Sequence, residues 1–391
     1  MHILFATPGF LDNNGPTTGL PKYLFRTSKV LISWGHEVTI VTCSNRTVEY
    51  EFFGINIYRI RCPEIVHYGI QSKDEIALNL NYARIINNGI KHVVEKKKVD
   101  IIQYTNLYGV SFFHNFEIPA VLRLSSYASM WPVPDQEQRM EARADFERRA
   151  AIKCDAIFAP SYIVADRFSK DIGKKVKVIE TPFIPETDEV DESVYRDLFK
   201  NKKYILFYGS LIEYKGIGII ADSIYDILSK YQDVYFGIIG NGDLRWIYDS
   251  ITNGKEYSER IIYHPAIGFS QLIPIIKNAE FVTLPSLMEN FSNACVETMA
   301  LGQIVLGCNG ASFEQLIVDG ENGVLCTIGD SESFIKKVNE VLNYSEEQKK
   351  EMRQKASLSV ERLRPELVTK QLLEYYEKVI SQYWTKVKDK I

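Results

Sequence analysis

A chain of 391 residues with 46% hydrophobic and 25% charged side chains has the length of two or three domains and the composition of a globular protein, which excludes a small single module and a disordered or fibrous chain. A formal net charge of −4 argues against a polycation built to neutralise nucleic-acid phosphates, and six scattered cysteines with no C-x-x-C pair leave no readable zinc or redox motif. The opening MHILFATPGF lacks the basic and long apolar stretches of a signal peptide, and no run of about 18 apolar residues follows, so a cytoplasmic protein with reduced thiols is expected.

Short apolar runs bounded by turn signals alternate with helix-length amphipathic stretches, the pattern of an α/β chain with buried parallel strands. In the first half the strands are HILFAT (2–7), EVTIVTC (37–43), VDIIQYT (99–105), AVLRLS (120–125) and DAIFAPS (155–161). The stretch 182–197 loses apolar periodicity and gathers prolines and acids, which marks a linker. The alternation then restarts with YILFYGSL (204–211), VYFGIIG (234–240), RIIYHPA (260–266), EFVTLPS (280–286), QIVLGCN (303–309) and GVLC (323–326). Two Rossmann-like domains fit, one over 1–185 and one over 200–365. KCDAIFAPS (153–161) and KNAEFVTLPS (277–286) echo one another, as if both halves used the same strand-to-helix turn. Residues 366–391 read as a long helix whose apolar positions Leu367, Leu372, Tyr375, Tyr376, Val379 and Ile380 require a docking surface.

Two nucleotide signatures are absent. No G-x-x-x-x-G-K-[ST] occurs, and TTGLPK (17–22) lies too far beyond the first strand for a dinucleotide fingerprint, while the second strand ends without an acid. Gly19 retains interest, because a glycine before a helix lets backbone amides face an anion; a plain turn glycine reads equally well.

The most informative stretch is PSLMENFSNACVETMALGQ (285–303). A helix capped near Ser292 places Glu297 roughly 7.5 Å along its axis, with Glu289 in the loop before it. The amides of Asn290, Phe291, Ser292 and Asn293 are then available donors. Helix-end amides for an anion, one carboxylate for ribose hydroxyls and another for a sugar suit a nucleoside diphosphate sugar. In YGSLIEYKGIG (208–218), Lys215 stands before Gly216 at a helix start, where an ammonium can reach a phosphate. Taken singly, each feature is also what a solvated helix start presents.

The ordered set Gly209, Leu211, Lys215, Gly216; Gly240, Gly242; Pro285, Ser286, Glu289, Glu297, Met299, Ala300, Gly302; Glu314, Asn322, Gly323 resembles the retaining glycosyltransferases of family 4, which have the GT-B fold. The likeness spans most of the C-terminal half; the N-terminal half is similar through its first strand, the Gly19 loop and the DAIFAPS turn. It implies two Rossmann-like domains facing a cleft, a donor held mainly by the C-terminal one, an acceptor on the N-terminal one, the last helix returning to the N-terminal domain, and neither metal nor other cofactor. By position, Lys215 and Glu289 are the implied catalytic residues, acting on the diphosphate and donor sugar. Glu297 falls to the ribose, the amides of 291–293 to phosphate and sugar, and Ala266 and Ile267 to the base. Ser210 stands where the family usually has arginine. Ser125 or Ser126 stands where it often has histidine, with Arg123 on the same strand face as Ser125.

The six histidines show no metal spacing and suit packing or surface roles. Tyr127, Met130 and Trp131 precede two prolines; Trp131 suits either a core contact or an acceptor lid, and 139–153 reads as a solvated helix. The expected partners are a nucleotide sugar and a glycan, lipid-linked or other hydroxyl acceptor, without nucleic acid. A nearly neutral N-terminal half is compatible with weak peripheral membrane contact. A hydrolysing nucleotide-sugar 2-epimerase, which shares fold and donor, and a non-catalytic partner subunit remain the alternative readings.

Overall fold

In the computed structural model, residues 1–10, 19–62, 72–131, 136–185, 190–242, 251 and 257–389 are described. The chain forms two compact units, Met1–Phe183 with Leu363–Ile391, and Ile184–Arg362.

Among the described residues the first unit has eight strands: β1 (His2–Thr7), β2 (Glu37–Ser44), β3 (Val48–Phe52), β4 (Ile55–Arg61), β5 (Ile101–Thr105), β6 (Ala120–Arg123), β7 (Ala156–Ala159) and β8 (Lys177–Val178). Their order is β3-β4-β2-β1-β5-β6-β7-β8, with β3 alone antiparallel to its neighbour. The β3–β4 hairpin and the two-residue β8 escape a search for long apolar runs, because β3 alternates half-buried and exposed residues at the sheet edge. β1 and β5 are fully buried, as strands covered on both faces must be.

Helices α1 (Gly19–Ser33), α2 (Ser72–Val94), α3 (Glu137–Ala151) and α4 (Tyr162–Ile172) follow strands of this sheet, and α10 (Pro365–Lys388) closes the unit. Leu24 and Leu31 of α1 share one core with Val368, Leu372, Tyr376 and Val379 of α10 and with Ile3, Ile40 and Val121 of the sheet. Leu367 departs from expectation: it is 48% exposed, and Val368 faces the core in its place. Leucine at 367 lies one residue out of the helical register that the buried positions define. A second difference concerns α3, expected as a solvated helix: it buries Met140, Ala144, Phe146 and Glu147.

The second unit is a six-stranded parallel sheet of β9 (Lys203–Tyr208), β10 (Val234–Ile239), β11 (Ile261–His264), β12 (Phe281–Leu284), β13 (Val305–Asn309) and β14 (Val324–Thr327), ordered β11-β10-β9-β12-β13-β14. The order reverses between β9 and β12, and α/β sheets bind ligands beyond the carboxyl ends of strands at such a point. Its helices are α5 (Ile217–Lys230), α6 (Phe269–Asn278), α7 (Asn293–Ala300), α8 (Ser331–Leu342) and α9 (Glu346–Val360). Part of the expected linker belongs here: Tyr195–Phe199 form a helical turn whose Phe199 is fully buried, while 186–189 lie outside the described residues.

The two Pro-Ser turns differ. Ser161 is itself the residue before α4, whereas Ser286 opens a loop and α7 begins only after Ser292. That longer loop is where Glu289 sits.

Candidate active site

Beyond β9 and β10 the backbones come too close for side chains. A Cβ on Gly240 would lie 1.8 Å from the Gly209 carbonyl oxygen, and one on Gly242 would lie 2.3 Å from that of Leu211. The two loops are joined by Leu211 N donating to Asn241 O at 2.8 Å. Asn241 Oδ1 in turn accepts from Ala266 N at 2.9 Å, which draws in the loop after β11. The result is a cavity of about 300 Å³ lined by Gly209, Ser210, Gly240, Asn241, Ala266 and Ile267 among others, at the lower end of small-ligand pockets. Three residues singled out in the sequence, Ser210, Ala266 and Ile267, thus meet in one hollow.

Across the switch point, Gly216 binds β9's loop to β12's. Its φ is +80°, and a Cβ there would stand 1.9 Å from Pro285 O, so only glycine permits this approach. Leu287 N donates to Tyr214 O at 2.9 Å alongside. The crossing sets Lys215 against the loop of Glu289: Lys215 Nζ donates to Glu289 Oε1 at 2.6 Å. Ser286 Oγ donates to the same oxygen at 3.1 Å. Glu289 is only 8% exposed, and a carboxylate so buried is retained with its hydrogen-bond partners in place.

α7 starts where the sequence places it. Ser292 Oγ accepts from Cys295 N at 3.3 Å, and the first helical amides have no intrahelical carbonyl. Asn293 is exposed and Phe291 half-buried at this end. Asn290 carries a buried Oδ1 without a hydrogen-bond partner among the described residues, while its carbonyl accepts from Ser312 Oγ at 3.1 Å. Glu297 is half-buried on the second turn. Tyr208 connects helix and strand: its hydroxyl donates to Ala294 O at 2.7 Å, so Thr298 Oγ1 at 2.9 Å is the donor to it. Burial first, and the Glu297 charge second, hold the Tyr208 phenol well above its usual range.

In the first unit, Arg123 and Ser125 do touch. Arg123 Nη1 donates to Ser125 Oγ at 2.8 Å. The loop beyond β6 is pinned by Asn106, whose Oδ1 accepts from Ser125 N at 2.7 Å and whose Nδ2 donates to Ser126 O at 2.6 Å. Glu147 Oε2 accepts from Ala128 N at 3.1 Å, and burial pushes the Glu147 carboxyl up to about 7. Trp131 is half-buried against the core. Gly19 opens α1, and residues 17 and 18 of its loop, like 243 and 244 of IIGNGDL, lie outside the described residues. Sequence reasoning missed Asn106, Glu147 and Ser312, and named Ser286 only as part of a motif, without its bond to Glu289. Asn106 directly follows an apolar strand run, a signal available in the sequence; Glu147 lies among charged residues and gives none. Among the described residues, no three His, Cys, Asp or Glu form a group able to hold a metal ion, and no helix is long and apolar enough to cross a membrane.

Residues 191–359 match the family model of glycosyl transferases group 1. A D-inositol 3-phosphate glycosyltransferase of Paenarthrobacter aurescens is 23% identical over 348 residues, covering 82% of this chain and 84% of that protein. Among solved structures, a sucrose-phosphate synthase from Thermosynechococcus elongatus superposes with a TM-score of 0.78 at 14% identity over 97% of this chain and 99% of its own. Anabaena HepE in complex with UDP-glucose does so with a TM-score of 0.66 at 17% identity, over 97% and 100%. The chain is a glycosyltransferase of the GT-B fold. In this glycosyltransferase the residues matched by the family model take in the whole switch-point constellation from Gly209 to Ser312.

Proposed function

We propose that the protein transfers a sugar, with retention of configuration, from a nucleoside diphosphate sugar to a hydroxyl acceptor in glycan or polysaccharide synthesis. The observation that carries this reading is the Lys215–Glu289 pair at the switch point, between the hollow of Ala266 and Ile267 on one side and the capped start of α7 on the other. The hollow takes the base, Glu297 the ribose hydroxyls, Lys215 and the α7 amides the diphosphate, and Glu289 the sugar. UDP-glucose in the HepE structure supports a uridine donor, and the inositol phosphate glycosyltransferase supports a small polyol or sugar acceptor.

The nucleoside diphosphate is the leaving group, and its developing charge is what must be stabilised. A preorganised ammonium and helix-end amides supply that without a protein nucleophile. Lys215 is already fixed by Glu289, so little reorganisation accompanies charge development; Ser210 offers a hydroxyl where a second cation would stand in the resembling family. Retention follows when the acceptor hydroxyl attacks from the face the diphosphate leaves and gives its proton to that diphosphate.

The test is to incubate the protein with UDP-, GDP- and ADP-sugars, with and without polyol and sugar-phosphate acceptors, and to follow nucleotide release and anomeric configuration by NMR. Acceptor-dependent release with a retained anomer supports the reading. Release with donor alone, giving a 2-epimer, would make the protein an epimerase, and donor binding without any release would make it a non-catalytic subunit.

A further inference from the structure

Arg123 ends β6, is 4% exposed, and has no carboxylate within ion-pair distance among the described residues. Nη1 and Nη2 donate to neutral hydroxyls, Ser125 Oγ at 2.8 Å and Thr181 Oγ1 at 3.0 Å. The guanidinium carbon lies 3.9 Å from the centre of the Tyr23 ring, and among the described residues Nε has no acceptor. Removing a guanidinium from water is costly unless an opposite charge accompanies it; hydroxyls and one aromatic face offset part of that cost.

The neighbouring hydroxyls repeat the shortfall. Among the described residues Thr105 Oγ1 is buried without a partner, and Thr105 pairs with Arg123 across β5 and β6, so both side chains stand on the same sheet face. Ser161 Oγ, just beyond β7, is likewise buried and unpartnered among the described residues. Three adjacent strands therefore end in a cation and hydroxyls that lack acceptors, at the carboxyl ends of the strands, the side on which such sheets bind ligands.

We propose that this end of the first unit is an anion subsite, receiving a phosphate or carboxylate carried by the acceptor, with Arg123 as its counter-charge. The inference rests on the first unit being the acceptor side. Ser125 is half-buried and accepts from Arg123, so its own O–H is left to donate outward to the anion, and the planar guanidinium fork behind it matches two oxygens of a phosphate. Neutral alcohols would leave the buried charge uncompensated, which makes the charged group a determinant of acceptor choice.

The experiment measures thermal stabilisation of the full chain by inorganic phosphate, glycerol 3-phosphate, acetate and neutral glycerol, in a Lys215→Ala background so that the donor side contributes little. The expected result is stabilisation by the phosphates, with the apparent Kd raised at least tenfold in Arg123→Met and severalfold in Thr181→Val and Ser125→Ala, and partly restored in Arg123→Lys. Each variant is compared with its own ligand-free melting, so a lowered baseline does not obscure the outcome; if Arg123→Met does not fold, the two hydroxyl variants decide. Acetate stabilising as well would extend the subsite to carboxylates. No stabilisation by phosphate, or equal stabilisation of wild type and the three substitutions, overturns the subsite. UDP binding, titrated separately with Lys215 intact, reports on the transferase reading and is unaffected by either result.

Discussion

Lys215 Nζ and Glu289 Oε1 are 2.6 Å apart, although 74 residues separate them in the chain. The pair forms because Gly216 lets the loop after β9 touch the carbonyl of Pro285, and it fixes an ammonium that the proposed function assigns to the leaving diphosphate. Lys215→Ala is expected to lower kcat/KM by about 2 to 4 kcal/mol of transition-state stabilisation, as loss of one preorganised donor does. Steady-state kinetics with the cognate donor measure this, and an unchanged kcat/KM removes Lys215 from the mechanism.

The two glutamates should divide their effects. A carboxylate on the ribose acts in ground and transition states alike, whereas one on the reacting sugar acts most strongly in the transition state. Glu297→Ala therefore raises the Kd for nucleotide, and Glu289→Ala mainly lowers kcat. Isothermal titration with nucleotide alongside kinetics separates them; equal binding losses in both variants would contradict the division.

Gly216→Ala tests the crossing itself. The left-handed φ costs an L-residue about 1 to 2 kcal/mol, and the added Cβ must also displace the Pro285 carbonyl. Both loss of stability in urea and loss of nucleotide binding are expected, since the loops of Lys215 and Glu289 move together. A variant that melts like wild type and binds nucleotide equally well would show that the loops are independent.

The strands of the second unit were legible because most of them are largely buried and read as apolar runs, and the start of α7 because a serine cap follows the strand-end turn. β3 and β8 were not, being short edge strands with half-exposed residues. The Lys215–Glu289 contact was readable as two separate residues but not as a pair, since it depends on a backbone approach that no spacing within either segment encodes. Glu147 illustrates the other limit: it stands in a charged stretch that reads as a solvated helix, and only the fold reveals it as interior.

Glu147 gives the pH dependence. Its carboxyl titrates near 7 in the folded protein, above the usual value of about 4.3 in an unfolded chain. Stability from the neutral form is therefore complete below the unfolded value, declines as pH rises toward the folded one, and levels off above it. Glu147→Gln, which keeps an acceptor for Ala128 N, should flatten this decline and stabilise the protein by about 3 to 4 kcal/mol at pH 8 relative to wild type. Chemical denaturation at pH 5 and pH 8 checks the sign; a variant with the wild-type pH slope would assign that slope elsewhere.

The last expectation concerns α10, which ends the chain yet lies in the core of the first unit. Tyr376 is fully buried, and its hydroxyl donates to Gln103 Oε1 in the centre of β5, an oxygen that also accepts from Tyr23 on α1 at 3.3 Å. Tyr375 donates to Ile157 O of β7 at 3.1 Å, so the helix is tied to two strands as well as packed by Leu372 and Val379. Tyr376→Phe removes one buried hydrogen bond and should cost about 1 kcal/mol; Tyr376→Ala adds a cavity and should cost about 3 to 5 kcal/mol. Deleting 366–391 strips that face entirely and should unfold the first unit and abolish turnover, although Lys215, Glu289 and Glu297 are all retained. Calorimetry together with nucleotide titration decides the matter: a truncated chain that melts unchanged and turns over fully would make α10 an appendage, whereas a lost transition with nucleotide binding preserved would show the second unit standing without it.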